Sequence, residues 1–336
     1  MAVRFSNDVN LAYVNGRLKA LENNMLTRAE LDQFAEAPET QLEKSLADRG
    51  YGADLTVSVM KKRKEDFSFI RNAIRPFDPY PDFIRSFFLK YDLLNLKNGL
   101  KLRIMKDRRI SQDYPLGAYP FSLDQEDIRD ILENKKFELI SLRHKKMIGL
   151  YFNELEKNLN STGVENILDR MYLHLFWLTV QEMKNDYFSF YFSHYLDLVN
   201  IENIIRFKLL GRSLEELERT LFLKGTLKRI MVKELFTGKL EDIPDAFKAR
   251  PYYDILKTGI EKGRKENQFG LFHLLKDNYL MTIIRMARLC SFGIEPVFSY
   301  LAGKENEYMN IRIIVEGRRK RIKPGRIREN IRETYV

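Results

Sequence analysis

Apolar residues in this chain recur mostly at spacings of three and four. Val14, Leu18, Leu21 and Met25 make one stripe. Leu214, Leu217 and Leu221 make another, and Glu215 stands four residues before Arg219 to support its exposed face. This spacing predicts amphipathic helices. Four capping boxes stand in front of leucine-bearing segments: Thr27 with Glu30, Thr40 with Glu43, Ser122 with Gln125, and Ser213 with Glu216. In each, the hydroxyl can accept from an orphan amide of the first turn while the acid or amide reaches back. Gly50 and Gly225 stand where a glycine would close the helices that follow Thr40 and Ser213. Two short runs look like strands. Leu55–Val59 alternates, and Ile311–Val315 is β-branched and apolar. Periodicity alone does not separate such runs from buried helix. Breakers cluster at Pro76–Pro81 (PFDPYP), Tyr114–Phe121 (YPLGAYPF) and Gly238–Pro251, and the last two clusters roughly trisect the chain.

A search for internal similarity resolves the ambiguity. Tyr91–Arg103 (YDLLNLKNGLKLR) aligns with Leu196–Lys208 (LDLVNIENIIRFK) and with Asn306–Arg318 (NEYMNIRIIVEGR). Asp92, Asp197 and Glu307 share one position; Asn95, Asn200 and Asn310 share the next. The common pattern is acid-x-x-Asn-aliphatic, then further aliphatics and a basic residue. The copies differ in detail, since Gly99 stands where Ile204 and Ile314 stand. Aromatic residues precede each copy. A capped helix is expected after each: at Ser122, at Ser213, and from Pro324 with proline at the first helical position. One repeat should have one fold, so Ile311–Val315 is read as helix. The period exceeds that of ordinary solenoid repeats. Three similar helical domains are expected, at residues 1–118, 119–226 and 227–336, in an all-α chain. Such domains can close into a pseudo-three-fold ring or funnel.

Composition narrows the function. The chain has 336 residues with 17 glycines and 10 prolines. That is roughly 8% breakers, below the roughly 12% of ordinary usage. With 44% hydrophobic and 12% aromatic residues, a disordered or collagen-like chain is excluded. One cysteine, Cys290, excludes an internal disulfide framework and a cysteine-built zinc site; in the run LCSF it reads as a small core residue. No apolar stretch is long enough for a membrane span or a signal peptide, so the chain is expected neither to cross a membrane nor to be exported by the usual route. No glycine-rich phosphate loop occurs, and the four histidines have no zinc-helix spacing, so no cofactor is expected. The aromatic stretch Tyr172–Phe192 around Trp177 and His174 reads as buried helix, with a ligand pocket as the other reading.

The charge is +10, from 57 basic and 47 acidic residues, which favours acidic partners. Nine Lys or Arg residues stand against two acids between Arg312 and Arg332. Ile322, Ile327 and Ile331 keep a helical face within this run, so it is more than a loose basic arm. It can carry part of a protein interface, or it can meet phosphates. The repeated positions Asp92, Asn95, Asp197, Asn200, Glu307 and Asn310 also have two readings. They can form a ring of contacts to an axial partner, or they can satisfy buried backbone and neighbouring arginines.

The repeat and the C-terminal block together resemble a known family: the C subunit of V-type and archaeal-type (V/A-type) rotary ATPases, whose eukaryotic counterpart is the d subunit of the V-ATPase. The resemblance rests on Glu295–Gly317 (EPVFSYLAGKENEYMNIRIIVEG), the basic run that follows to Val336, Tyr13–Leu31 (YVNGRLKALENNMLTRAEL), and the two inner repeats. It implies an all-helical, three-domain, funnel-shaped and non-catalytic rotor part. Such a part sits at the cytoplasmic face of the membrane on the proteolipid ring. It receives the foot of the central shaft and couples ATP hydrolysis or synthesis to proton or sodium transport. The repeat helices, or the loops beside them, would then face the shaft axis. A helical nucleic-acid-binding protein using the basic C-terminal region is the rival reading, and an enzyme built around His174 ranks below it for want of a nucleophile–base pattern.

Overall fold

A computed structural model describes residues 3–51, 65, 67–104, 122–141, 143–265 and 270–336. Every regular element among them is helical, and the fold is all-α. In chain order the helices are α1 (Ala12–Glu22), α2 (Arg28–Glu36), α3 (Glu39–Asp48), α4 (Tyr80–Ile104), α5 (Gln125–Asn134), α6 (Lys145–Lys157) and α7 (Ser161–Met183). They continue as α8 (Asp186–Leu209), α9 (Leu214–Glu218), α10 (Arg229–Thr237), α11 (Tyr253–Lys265), α12 (Gly270–Met286), α13 (Glu295–Arg319) and α14 (Pro324–Asn330). Short 3-10 turns occur between them, and residues 67–74 are also helical.

The chain forms two compact units. The first holds Met1–Phe77, Asn185–Leu198 and Glu234–Val336; the second holds Asp78–Lys184 and Val199–Lys233. Helix α8 belongs to the first unit by its N-terminal half and to the second by its C-terminal half.

In the first unit the two ends of the chain share one core. Leu31, Phe34, Leu42 and Leu46 of α2 and α3 pack with Tyr308, Ile311 and Ile314 of α13 and with Ile327 of α14. Polar contacts tie the same parts. Arg28 donates to the carbonyls of Ile331 and Arg328, and Arg318 donates to that of Ala37. The C-terminal Tyr335 lies against Gly303 so closely that a Cβ there would come within 2.5 Å of its ring. Its hydroxyl donates to Glu22 Oε1 at 3.0 Å. Burial raises the Tyr335 phenol above its ordinary range, so it stays a neutral donor. Helices α11 and α12 meet where Gly259 admits Phe272.

In the second unit α4 and α7 pair along their length. Phe83 and Phe87 meet Phe176 with ring centroids 6.0 and 5.7 Å apart. The hydroxyls of Ser86 and Thr179 meet at 2.7 Å. The Tyr172 hydroxyl donates to the Phe87 carbonyl at 3.2 Å. Each fully buried ring contributes about 1.5–3 kcal/mol, so this seam outweighs the exposed ion pairs of the unit, which contribute about 0–1 kcal/mol each.

Two of the four capping boxes form as the spacing predicts: Thr27 with Glu30 on α2, and Ser213 with Glu216 on α9. The other two do not. Helix α3 begins at Glu39 behind Pro38, which places Thr40 inside the first turn. At α5 the cap is Asp124, paired with Asp127, because the Ser122 hydroxyl is engaged by Asp92 instead. Gly50 does stand just past α3, at φ 83°, a conformation that favours glycine. Gly225 does not close α9, which already ends at Glu218. The helix-ending glycine that the pattern missed is Gly211, at φ 61° just beyond α8. Ile311–Val315 is helical, within α13. Leu55–Val59 lies outside the described residues, as does Tyr114–Phe121.

Candidate interaction site

The three repeats occupy three long helices. Helices α8 and α13 have 24 and 25 residues, and α4 is described from Tyr80 to Ile104. Helices α8 and α13 each end nine residues past their asparagine: Leu209 after Asn200, Arg319 after Asn310. All three asparagines and all three acids are buried, with Asp92, Asp197, Asn200 and Asn310 at 0% exposure.

In two repeats the asparagine does the same work. Asn200 Nδ2 donates to the Phe222 carbonyl at 3.0 Å, and the Phe222 amide donates to Asn200 Oδ1 at 3.2 Å. Asn310 Nδ2 donates to the Arg332 carbonyl at 3.1 Å, and the Arg332 amide donates to Asn310 Oδ1 at 2.9 Å. Phe222 and Arg332 each lie 22 residues beyond their asparagine. The side-chain amide presents one donor and one acceptor with the spacing of a peptide group, so it holds a non-helical segment where no strand is available. Between asparagine and clamped residue runs one short helix, α9 or α14, starting fourteen residues past the asparagine in both copies. Asn95 also makes a polar contact, and the residue 22 places beyond it, Gly117, lies outside the described residues.

The acids are engaged as well. Asp92 accepts from the Ser122 amide at 3.1 Å and hydroxyl at 2.6 Å, and from the Leu123 amide at 3.3 Å. Asp197 Oδ2 accepts from the Tyr252 hydroxyl at 3.2 Å. Glu307 accepts from the Leu26 amide at 2.6 Å, the Tyr51 hydroxyl at 2.8 Å and buried Lys304 at 2.5 Å. These oxygens are therefore committed to the chain itself.

Other polar candidates are also internal. His174 sits on α7 among Tyr151, Trp177 and Phe222, with Nδ1 3.1 Å from the Tyr151 hydroxyl. Burial pushes its pKa down, with Lys224 and His144 adding to that. Cys290 is half-buried rather than a core residue, and burial raises its thiol. Among the described residues no three His, Cys, Asp or Glu side chains gather as metal ligands, and no helix is long and apolar enough to cross a membrane.

The basic run divides into two sets. Arg318 and Arg332 bond inward, Arg332 Nε to Asp277 at 2.8 Å. Arg326 and Arg328 pair with Glu329 and Glu36. Arg312, Arg319, Lys320, Arg321 and Lys323 are exposed, and their side chains make no hydrogen bond or ion pair among the described residues. Ile327 and Ile331 are buried, whereas Ile322 is 44% exposed, so the expected apolar face is only partly covered.

Residues 14–330 match the family described as ATP synthase (C/AC39) subunit. The chain belongs to this family. It is similar to the C subunit of the A-type ATP synthase of Methanocaldococcus jannaschii, with 24% identity over 94% of this chain and 85% of the relative. It is similar to the C subunit of the V-type sodium ATPase of Enterococcus hirae, with 21% identity over 93% and 92%. It also resembles the C subunit of the A-type ATP synthase of Pyrococcus furiosus, with 23% identity over 96% and 90%. The match of the C/AC39 family runs across all three repeat helices, so the repetition lies within the family region.

Proposed function

We propose that this chain is a non-catalytic rotor component of a V/A-type rotary ATPase. It acts as a socket between the central shaft and the membrane proteolipid ring, at the cytoplasmic face of the membrane. It couples ATP hydrolysis or synthesis to proton or sodium movement by passing torque. Its three helical repeat domains, 1–118, 119–226 and 227–336, surround a pseudo-three-fold axis as a funnel. The observation that carries this reading is the repetition of one long helix in three copies, each with its buried acid and asparagine, inside a chain of the C/AC39 family.

The mechanical demand fits the chemistry. Torque must pass two interfaces without slip, and close-packed interiors deform little. The asparagine clamps support this, because each locks a non-helical segment to the helix that precedes it. The repeat helices, or the loops beside them, face the shaft. The buried acids Asp92, Asp197 and Glu307 hold those loops rather than touch the partner. The excess positive charge assists docking, and that contribution weakens with salt. The relatives from M. jannaschii, E. hirae and P. furiosus are parts of ATP synthases or ATPases, and none supports the nucleic-acid reading.

The test is reconstitution of the full chain with the shaft and ring proteins of its own complex. The expected result is one assembly containing all three, whose dissociation is promoted by salt. Replacing Asp92, Asp197 or Glu307 by Ala should lower stability with no selective loss of shaft binding. A wild-type chain that joins neither shaft nor ring overturns the reading.

A further inference from the structure

The first unit carries a groove of about 510 Å³ between the C-terminal half of α13 and the first turns of α12 and α14. Its floor is apolar: Leu274, Met309, Ile313, Ile322 and Ile327. Gly317 lies in the same floor, where a Cβ would come within 2.9 Å of Ile327. Its rim is cationic: Arg312, Lys320, Arg326 and Arg332 stand against Glu316, the single lining acid among the described residues. Arg312 and Lys320 are exposed with no partner among the described residues.

The second unit carries a groove at the equivalent place, of about 800 Å³. Arg206, Phe207, Leu210, Arg212 and Glu216 line it, at the same distances past Asn200 as Glu316, Gly317, Lys320, Ile322 and Arg326 stand past Asn310. The first turn of α7 closes it as the first turn of α12 closes the other. Its charges balance. Lys101, Arg206, Arg212 and Arg219 face Glu154, Glu165, Asp169 and Glu216. Several are already paired, including Lys101 with Glu165 and Arg212 with Glu216. The repeat therefore builds the concavity twice, and only one copy presents uncompensated charge.

We propose that the α13 groove seats an acidic protein segment with apolar side chains, which under the rotor reading belongs to a shaft protein. The order of the surfaces selects this occupant. A bilayer presents its charge outermost and keeps its apolar chains behind, whereas the groove holds its apolar floor beneath a cationic rim. A peptide segment that projects Leu- or Met-like side chains between carboxylates satisfies both at once. A nucleic-acid single strand is held by stacking on aromatic side chains as well as by charge, and among the described residues no Phe, Tyr or Trp lines this groove.

The test compares the full wild-type chain with two double variants, Arg312→Glu/Lys320→Glu in the α13 groove and Arg206→Glu/Arg212→Glu in the balanced one. The side chains of Arg312 and Lys320 bond to no described residue, so the first variant should stay folded with a melting temperature near that of wild type. Binding is measured to the purified shaft proteins of the same complex, to phosphatidylserine vesicles and to a single-stranded oligonucleotide, at several salt concentrations. The expected result is shaft affinity reduced about tenfold or more in the first variant, with a shallower salt dependence. The second variant should stay within about threefold of wild type, since its groove has no excess charge. An equal loss in both variants, or wild-type shaft affinity in the first, overturns the groove assignment while leaving the rotor reading intact. Vesicle or oligonucleotide binding that only the first variant abolishes also overturns it, by giving the groove another occupant. A wild-type chain that ignores the shaft overturns the rotor reading and the groove with it.

Discussion

Asn200 is fully buried and bonds both backbone groups of Phe222, itself only 9% exposed. Asn200→Ala leaves the buried Phe222 N–H without a partner, whereas the Phe222 carbonyl loses one donor and keeps the Lys224 amide at 3.1 Å. The orphaned N–H costs about 1–3 kcal/mol and the lost bond to the carbonyl about 0.5–1.5 kcal/mol, so the expected loss is about 1.5–4.5 kcal/mol. Asn310→Ala breaks the same two bonds to Arg332, but those are only partly buried. Water can return to that backbone, and the expected loss is smaller, about 1–3 kcal/mol. Asn203→Ala is the control, because its side chain bonds only Arg206 at the surface; it should stay within about 0.5 kcal/mol. The assay is urea unfolding followed by the fluorescence of Trp177, the sole tryptophan of the chain. Its ring lies 6.4 Å from that of Phe222, so it reports on the clamped segment directly. Asn200→Asp separates bonding from shape: it keeps the size, accepts from the amide, and cannot donate to the carbonyl while ionised. It should lose at least as much as Ala at pH 7. An Asn200→Ala variant as stable as Asn203→Ala, or an Asp variant as stable as wild type, would refute the clamp.

Two further outcomes follow from buried charge. Lys304 and Glu307 are 5% and 4% exposed, so Glu307→Ala removes the carboxylate that faces a buried ammonium and should cost about 3–5 kcal/mol; the double variant Lys304→Met/Glu307→Leu should recover part of this in a thermal melt, and a double variant no better than the single one would argue against the pair. His194 bonds the Tyr279 hydroxyl at 2.6 Å and packs on Tyr252 and Phe190. Burial holds its pKa below the ordinary 6.5, with Arg250 lowering it further and Asp197 opposing. The unfolded chain therefore binds the proton first: the contribution of neutral His194 is complete above pH 6.5 and is lost as pH falls through the lower folded value. His194→Phe should flatten the dependence of melting temperature on pH below 6.5, and an unchanged slope would sink this assignment.

Much of the fold was legible because helices are written locally. The leucine spacing, the Thr27 and Ser213 boxes and Pro324 at a first turn each depend on residues a few places apart. The triplication turned a β-branched run, Ile311–Val315, into helix by comparison with its copies. Thr40 fails locally, because behind Pro38 the helix starts at Glu39, one residue before it; the other failures share a distant cause. Ser122 satisfies every local rule for a cap, yet Asp92, thirty residues away, takes its hydroxyl and Asp124 caps instead. Helix α9 stops before Gly225, and Asn200 holds Phe222 in the non-helical segment beyond it. Local preference is weaker than a buried carboxylate or amide that must be satisfied.

The candidate site divides in the same way. That an acid and an asparagine recur three times is a property of the sequence, and so are the helical class, the charge and the family. Which of two readings the recurring residues serve could not be read there, since Asp and Asn look alike whether they meet a partner or a backbone. Tertiary structure brought Phe222 to Asn200 and Arg332 to Asn310, and it opened the same concavity beside both helices while leaving cations uncompensated in one. Periodicity records what a residue's neighbours along the chain require; burial and charge balance depend on distant segments, and those are settled only when the chain has closed on itself.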